Sequence, residues 1–312
     1  MVNGTAATFV RETTMLAPDR PRVGVWAREL RFHPDSAEIA DAAAELDDLG
    51  YRSIWIPDAG GNVFGAVDLL LEATTSLTVA TGIVNIWMHD AEYVASETVK
   101  RWAAHPGRFV LGLGASHASL IDAYTPNRYA RPWSTMRDYL LELDAATPTV
   151  PPEGRLLAAL GPRMLQLAGE RAGGAHPYLV TAEHTRTARE ILGESAVLVP
   201  ELAIVLELDP ARARERAHEH VAGYLTLPNY AKNLLRLGFT DEDFKDGGSD
   251  RLVTALVAAG DEATIAARVA EHLDAGADHV CVQVVGPMDQ PLQRETWRRV
   301  APALLELGAR RD

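Results

Sequence analysis

From Arg22 onward, short apolar runs of strand type alternate with stretches of helical periodicity. The runs at 22–26, 53–56, 77–86, 108–113, 155–160, 175–180, 197–208 and 278–284 predict eight strands. Between them, 35–49 places Ile39, Ala43, Leu46 and Leu49 on one helical face and stops at Gly50. Helical patterns also cover 64–75, 91–103, 133–145, 183–192, 210–221, 251–259, 261–275 and 292–307, and Pro162 opens one that runs to Arg171. Eight strand–helix units in a chain of 312 residues predict a closed (β/α)8 TIM barrel with insertions around 114–132 and 224–250. In this reading 21–312 is a single domain and 1–20, without periodicity, is a poorly ordered tail. A doubly wound open sheet is the architectural rival. It calls for a phosphate turn of the type G-x-G-x-x-G, and Gly112-x-Gly114 lacks the third glycine.

In a barrel, chemistry sits on the loops that follow the strands, which selects the candidates. Gly82 interrupts the third strand, as glycines do at a bulge or where a ligand nears the backbone. Thr81, Gly82, Ile83 and Asn85 can therefore frame a flat ring, with Asn85 bonding its polar edge or capping the next helix. Ser116 and His117 follow the fourth strand; the histidine can move a proton near neutral pH or be a structural residue. Gly161, Pro162 and Arg163 open a helix, where amides and a guanidinium can hold a phosphate. Gly174, Ala175 and His176 follow one unit later and make a second arm of that clamp. Asp58 after the second strand is a carboxylate acid/base or an N-cap. The aromatic residues Trp87, Trp133 and Tyr230, and the segment 224–239, are candidates for the substrate pocket.

Charge and cysteine content remove other classes. A net charge of -13 argues against sequence-independent nucleic-acid binding. No apolar stretch reaches the roughly 20 residues of a membrane span, and no secretory pattern opens the chain, so a cytoplasmic protein is expected. Cys281 stands alone within a strand pattern, as a small buried hydrophobe would. His33, His89 and His105 lack partners at ligand spacing and no H-E-x-x-H occurs, so no metal site is expected.

An ordered set of strings carries a resemblance: Trp55-Ile56-Pro57-Asp58, the run 80–87, Gly107-Arg108-Phe109-Val110-Leu111-Gly112-Leu113-Gly114-Ala115-Ser116-His117, Leu160-Gly161-Pro162-Arg163 and Ala175-His176-Pro177-Tyr178. Over 22–312 the chain resembles the bacterial-luciferase-like family of flavin and deazaflavin oxidoreductases, in particular its coenzyme F420-dependent branch. The resemblance implies a barrel, usually dimeric, with the cofactor ring at the strand C-termini. It also implies a non-prolyl cis peptide behind the ring, here at Gly82-Ile83. The cofactor phosphate is expected on the loops at 161–163 and 174–176. Sugar-phosphate-oxidising members carry a glutamate at the place of His117 and a histidine after the place of Asp58. The residues here are His117 and Ala59, a departure that puts that reaction in question for this chain. The expectation is F420-dependent hydride transfer to or from a small organic substrate, with His117 as proton donor. An FMN-dependent monooxygenase and a cofactor-binding protein without turnover are the alternatives.

Overall fold

The computed structural model describes residues 10–16, 22–124, 129–286 and 292–308. Its strands are β1 (Val23–Trp26), β2 (Ser53–Ile56), β3 (Thr78–Thr81), β4 (Val84–Asn85), β5 (Phe109–Gly114), β6 (Arg155–Leu157), β7 (Gly174–Ala175), β8 (Val197–Leu198), β9 (Glu201–Leu206), β10 (Val257–Gly260) and β11 (Val280–Val284). Every pairing is parallel. β8 and β9 are one run bent at Val199-Pro200. Its first half pairs with β7 and its second with β11, which in turn pairs with β1, so the ring closes. Bonds from Val199 N–H to the Ala175 carbonyl (2.9 Å) and from Cys281 N–H to the Pro200 carbonyl (3.0 Å) carry the ladder through the bend. The expected TIM barrel is therefore the observed fold.

Several expectations need correction; the strand expected over 175–180, for one, is only Gly174–Ala175. The single strand at 77–86 is split into β3 and β4 at Gly82-Ile83. The helix expected over 251–259 stops at Leu256, and Val257–Gly260 becomes β10 along the upper half of β9. There β7 has already ended, so unpaired strand edge is available. Cross-strand pairing then overrides the helical pattern.

Alternation along the strands separates two cores. Outward residues such as Val25, Ile54, Val79, Leu111 and Val282 pack under the helices. Inward residues Trp26, Trp55, Ala80, Val110, Leu156, Val197, Val199 and Cys281 fill the barrel. Val10 and Met15 belong to that inner set, so residues 10–16, expected within a loose tail, close the floor. Arg11 donates to the carbonyls of Glu194 and Ser195, and the Met15 N–H donates to Thr78 Oγ1 (3.0 Å).

Most helices begin on a side-chain cap. Asp35, Asn62, Asp90, Thr181, Asp209, Ser249 and Asp261 each accept a first-turn amide. The helix Pro162–Arg171 does not: its N-cap is Gly161 and no side chain covers its amides. If residues 10–16 close the floor, Met15→Ala leaves a cavity under the barrel. Chemical denaturation should then show a loss of about 2–5 kcal/mol.

Candidate active site at the strand C-termini

The mouth is organised by the break between β3 and β4. The Gly82-Ile83 peptide is cis. Two glycines of β5 make the break possible. A Cβ on Gly112 would collide with the Thr81 carbonyl, and one on Gly114 with the Ile83 side chain. The Gly-x-Gly in β5 therefore gives backbone room and is no phosphate turn. Where the main-chain ladder fails, the Thr81 hydroxyl replaces it: it donates to the Gly112 carbonyl and accepts the Gly112 N–H, both at 2.9 Å.

Asp58 braces the same break from β2. One carboxylate oxygen accepts the Asn85 N–H (3.1 Å) and lies 2.9 Å from His89 Nε2, and the other accepts the Gly60 N–H (3.3 Å). Its own N–H reaches the Ile83 carbonyl. Asn85 Oδ1 accepts the Trp87 N–H, while its buried Nδ2 has no partner. Gly82 and Ile83 keep partly exposed surface at the mouth, whereas Thr81, Asp58 and Asn85 are buried behind them. Thus Gly82 and Ile83 form the wall surface, and Thr81 and Asp58 hold it.

Trp26 donates its indole N–H to the Gly82 carbonyl (3.2 Å). His176 lies beneath, stacked on Trp55 at 4.2 Å, with Nδ1 donating to the Val199 carbonyl (2.7 Å). Its buried Nε2 has no partner and lies 3.2 Å from where a Cβ on Gly82 would stand. Burial pushes this imidazole down to about 4, so it is neutral and Nε2 is an acceptor. His176 thus faces the wall at Gly82, away from the expected phosphate clamp. Above it, Tyr178 packs on Trp26 (5.2 Å) and bonds Tyr224 Oη (2.7 Å) and Gln283 Oε1 (2.6 Å). Glu201, fully buried, accepts the Leu179 N–H through Oε2 (2.9 Å), and its Oε1 is unpartnered.

His117 is half-buried, with Nδ1 3.1 Å from Asn229 Oδ1 and its ring 5.2 Å from Tyr230. Since the amide oxygen accepts, Nδ1 carries the proton and Nε2 a lone pair. Burial holds this histidine below its usual pKa. Ser116 beside it has a positive φ of 54°, and its carbonyl accepts Tyr129 Oη (3.3 Å). The segment expected as an insertion at 224–250 supplies Asn229 and Tyr230 from the helix Pro228–Arg236 and so covers the mouth.

The anion seat differs from expectation. Gly174 and Ala175 are paired in the wall with Val197 and Leu198 and offer no free loop. Arg163 is exposed and lies over the Trp133 ring at 4.4 Å. The guanidinium at the open helix end is instead that of Arg236, with Nη2 3.2 Å from where a Cβ on Gly161 would stand. Its helix follows the apolar periodicity of the insertion, and only folding brings it to Gly161. Tyr224 and Arg236 fall within the segment 224–239 expected at the pocket, and Tyr178 within the string 175–178, but none was assigned its own role. Trp26, Glu201 and Gln283 were not singled out, and the visible signal among these three was Glu201, a carboxylate inside an apolar run.

Elsewhere, an open groove of about 530 Å³ contains Arg214, His218 and Asp250, and the Asp250 carboxylate already engages both partners. Among the described residues no cluster of His, Cys, Asp or Glu is arranged to hold a metal ion, and no helix is long and apolar enough to cross a membrane.

The site is thus a closed barrel's mouth with a bulged wall, an unpartnered buried imidazole and an open helix end. The sequence profile of the luciferase-like monooxygenase family matches residues 12–279, and the chain belongs to that family. It is 26% identical over 171 residues to the 5,10-methylenetetrahydromethanopterin reductase of Methanolobus tindarius, a match covering 48% of this chain and 51% of that protein. The chain thus spans about half the length of this relative. Its fold is similar to an F420-dependent secondary alcohol dehydrogenase solved with an F420-acetone adduct (TM-score 0.72, 12% identity, 94% of this chain and 100% of that one). It is also similar to the oxygenating constituent of 3,6-diketocamphane monooxygenase of Pseudomonas putida, solved with FMN (TM-score 0.65, 14% identity, 92% and 98%).

Burial pushes Glu201 up to about 8, against an ordinary 4.5. Above 4.5 the unfolded chain releases a proton that the folded chain keeps, so this residue's contribution to stability falls as pH rises toward 8. Glu201→Gln should remove that decline. The difference in unfolding free energy between variant and wild type should change across this window by at most about 1.4 kcal/mol per pH unit. A pH-independent difference would show that Glu201 is ionised in the folded chain.

Proposed function

We propose that the protein is an F420-dependent oxidoreductase that passes a hydride between the deazaflavin and a small organic substrate. The observation that carries this reading is the pairing, on one rim, of a wall for a flat ring with a seat for an anion. When bound, the cofactor supplies the hydride-carrying carbon. Gly82 and Ile83 back the ring, with Asn85 Nδ2 and His176 Nε2 as the unpartnered polar atoms nearby. These residues fit a planar ring with polar edges. The first-turn amides at Gly161 and the Arg236 guanidinium fit the phosphate of its tail.

With Nδ1 engaged by Asn229, His117 would offer Nε2 as a hydrogen-bond acceptor at the mouth. The insertion helix Pro228–Arg236 carries Asn229, which orients His117, Tyr230 of the pocket, and Arg236 of the anion seat. Closing the mouth and holding the cofactor tail thus depend on one element.

FMN-dependent monooxygenation is the second reading, supported by the similar fold of a chain solved with FMN. Its ring and phosphate would take the same two seats. Titration of apo-protein with F420 and FMN in parallel tests both: tighter F420 binding is expected, and tighter FMN binding overturns the first reading. Saturable F420 binding without hydride exchange against a substrate panel would leave a binding protein. Arg236→Ala should weaken F420 binding about tenfold, from the loss of one charged hydrogen bond. Arg163→Ala should have the smaller effect, and the reverse order would return the anion seat to Arg163.

A further inference from the structure

At one corner of the mouth a chain of tyrosine hydroxyls ends in open lone pairs. Gln283 Oε1 accepts the Tyr178 proton over 2.6 Å, so Tyr178 Oη must receive the Tyr224 proton over 2.7 Å. The chain runs Tyr224 to Tyr178 to Gln283. It leaves Tyr224 Oη with open lone pairs and no proton to give. His117 Nε2, as above, is also an acceptor.

Rings surround this corner. Trp26 and Tyr178 lie 5.2 Å apart, Tyr178 and Tyr224 5.6 Å, Tyr224 and Tyr230 5.4 Å edge to face, and Tyr230 and His117 5.2 Å. Tyr178, Tyr224 and His117 are half-buried, so they line accessible space rather than closed core. Burial favours the neutral form of each, raising the tyrosines and lowering the histidine. A charged ligand would lose hydration here without a counter-charge in the ring set. Arg28, whose charge acts on Tyr224, makes an anionic ring the rival occupant.

We propose that this corner binds an uncharged aromatic compound bearing a hydroxyl group, which donates to Tyr224 Oη while its ring packs against the half-buried rings of Tyr178 and Tyr224. The inference rests on the redox reading above and names its substrate class. An aromatic hydroxyl fits both features: its ring matches the edge and tilted geometries of the walls, and its proton fills the open acceptor. An aromatic ketone or ether brings another acceptor and leaves two lone pairs facing each other.

Calorimetric titration of the protein, with and without F420, using phenol, anisole and p-hydroxybenzoate tests this. Phenol should bind about five- to tenfold tighter than anisole, the worth of one neutral hydrogen bond. Tyr224→Phe should abolish that preference while thermal melting confirms the fold. Tyr178→Phe removes the acceptor of the Tyr224 proton and frees it to donate, so anisole should gain relative to phenol. Equal wild-type affinity for phenol and anisole, tightest binding of p-hydroxybenzoate, or a preference that survives Tyr224→Phe overturns the proposal. F420 fluorescence in the same samples separates the two readings. F420 binding without phenol selectivity sinks the substrate class alone, and phenol selectivity without F420 binding sinks the redox reading alone.

Discussion

The site depends on one close approach: the backbone of Gly82-Ile83 against the glycines of β5. With no side chains at Gly112 and Gly114, β3 can leave the ladder and β4 can rejoin it, and the Ile83 side chain settles where a Gly114 Cβ would stand. The Thr81 hydroxyl and the Asp58 carboxylate then satisfy the backbone groups that the break exposes. An unpaired buried amide or carbonyl costs about as much as a lost hydrogen bond, which is why two polar side chains at the mouth are committed to the wall. Residues that looked like ligand contacts are instead the frame that lets Gly82 and Ile83 face the mouth.

Above that frame the interior is polar in composition and neutral in charge. His176, Glu201 and the tyrosines are ionisable groups that burial holds uncharged. Their hydrogen bonds are incompletely satisfied: His176 Nε2, Glu201 Oε1 and Asn85 Nδ2 have no partner. Open positions of this kind are destabilising in a closed core and are the natural contacts of a ligand. Charge is kept to the rim, at Arg236 beside Gly161 and at Arg28.

The insertion around 224–250 joins these layers. It packs on the barrel through its own apolar cluster of Val221, Tyr230, Leu234, Phe239 and Leu252 against Ala203 and Val205 of β9. β10 extends that contact by pairing with the free edge of β9. The helix Pro228–Arg236 is thereby fixed over the mouth, presenting Asn229, Tyr230 and Arg236 to three different parts of it.

The local pattern alone determined the strand–helix alternation, the barrel class and the placing of Gly82, Ser116, His117 and Gly161 on one rim, because period and turn chemistry act between near neighbours. The strings around Gly107–His117 and Leu160–Arg163 also carried the family. Tertiary structure decided the rest. Val257–Gly260 became a strand only because β9 had an edge to pair. Residues 10–16 became a floor only because the barrel left apolar residues to cover. Arg236, 75 positions from Gly161, displaced Gly174 and Ala175 as the partner of the open helix end. The environment set by burial decided the charge of Glu201, and desolvation is a property of the packed surroundings that no run of residues displays by itself.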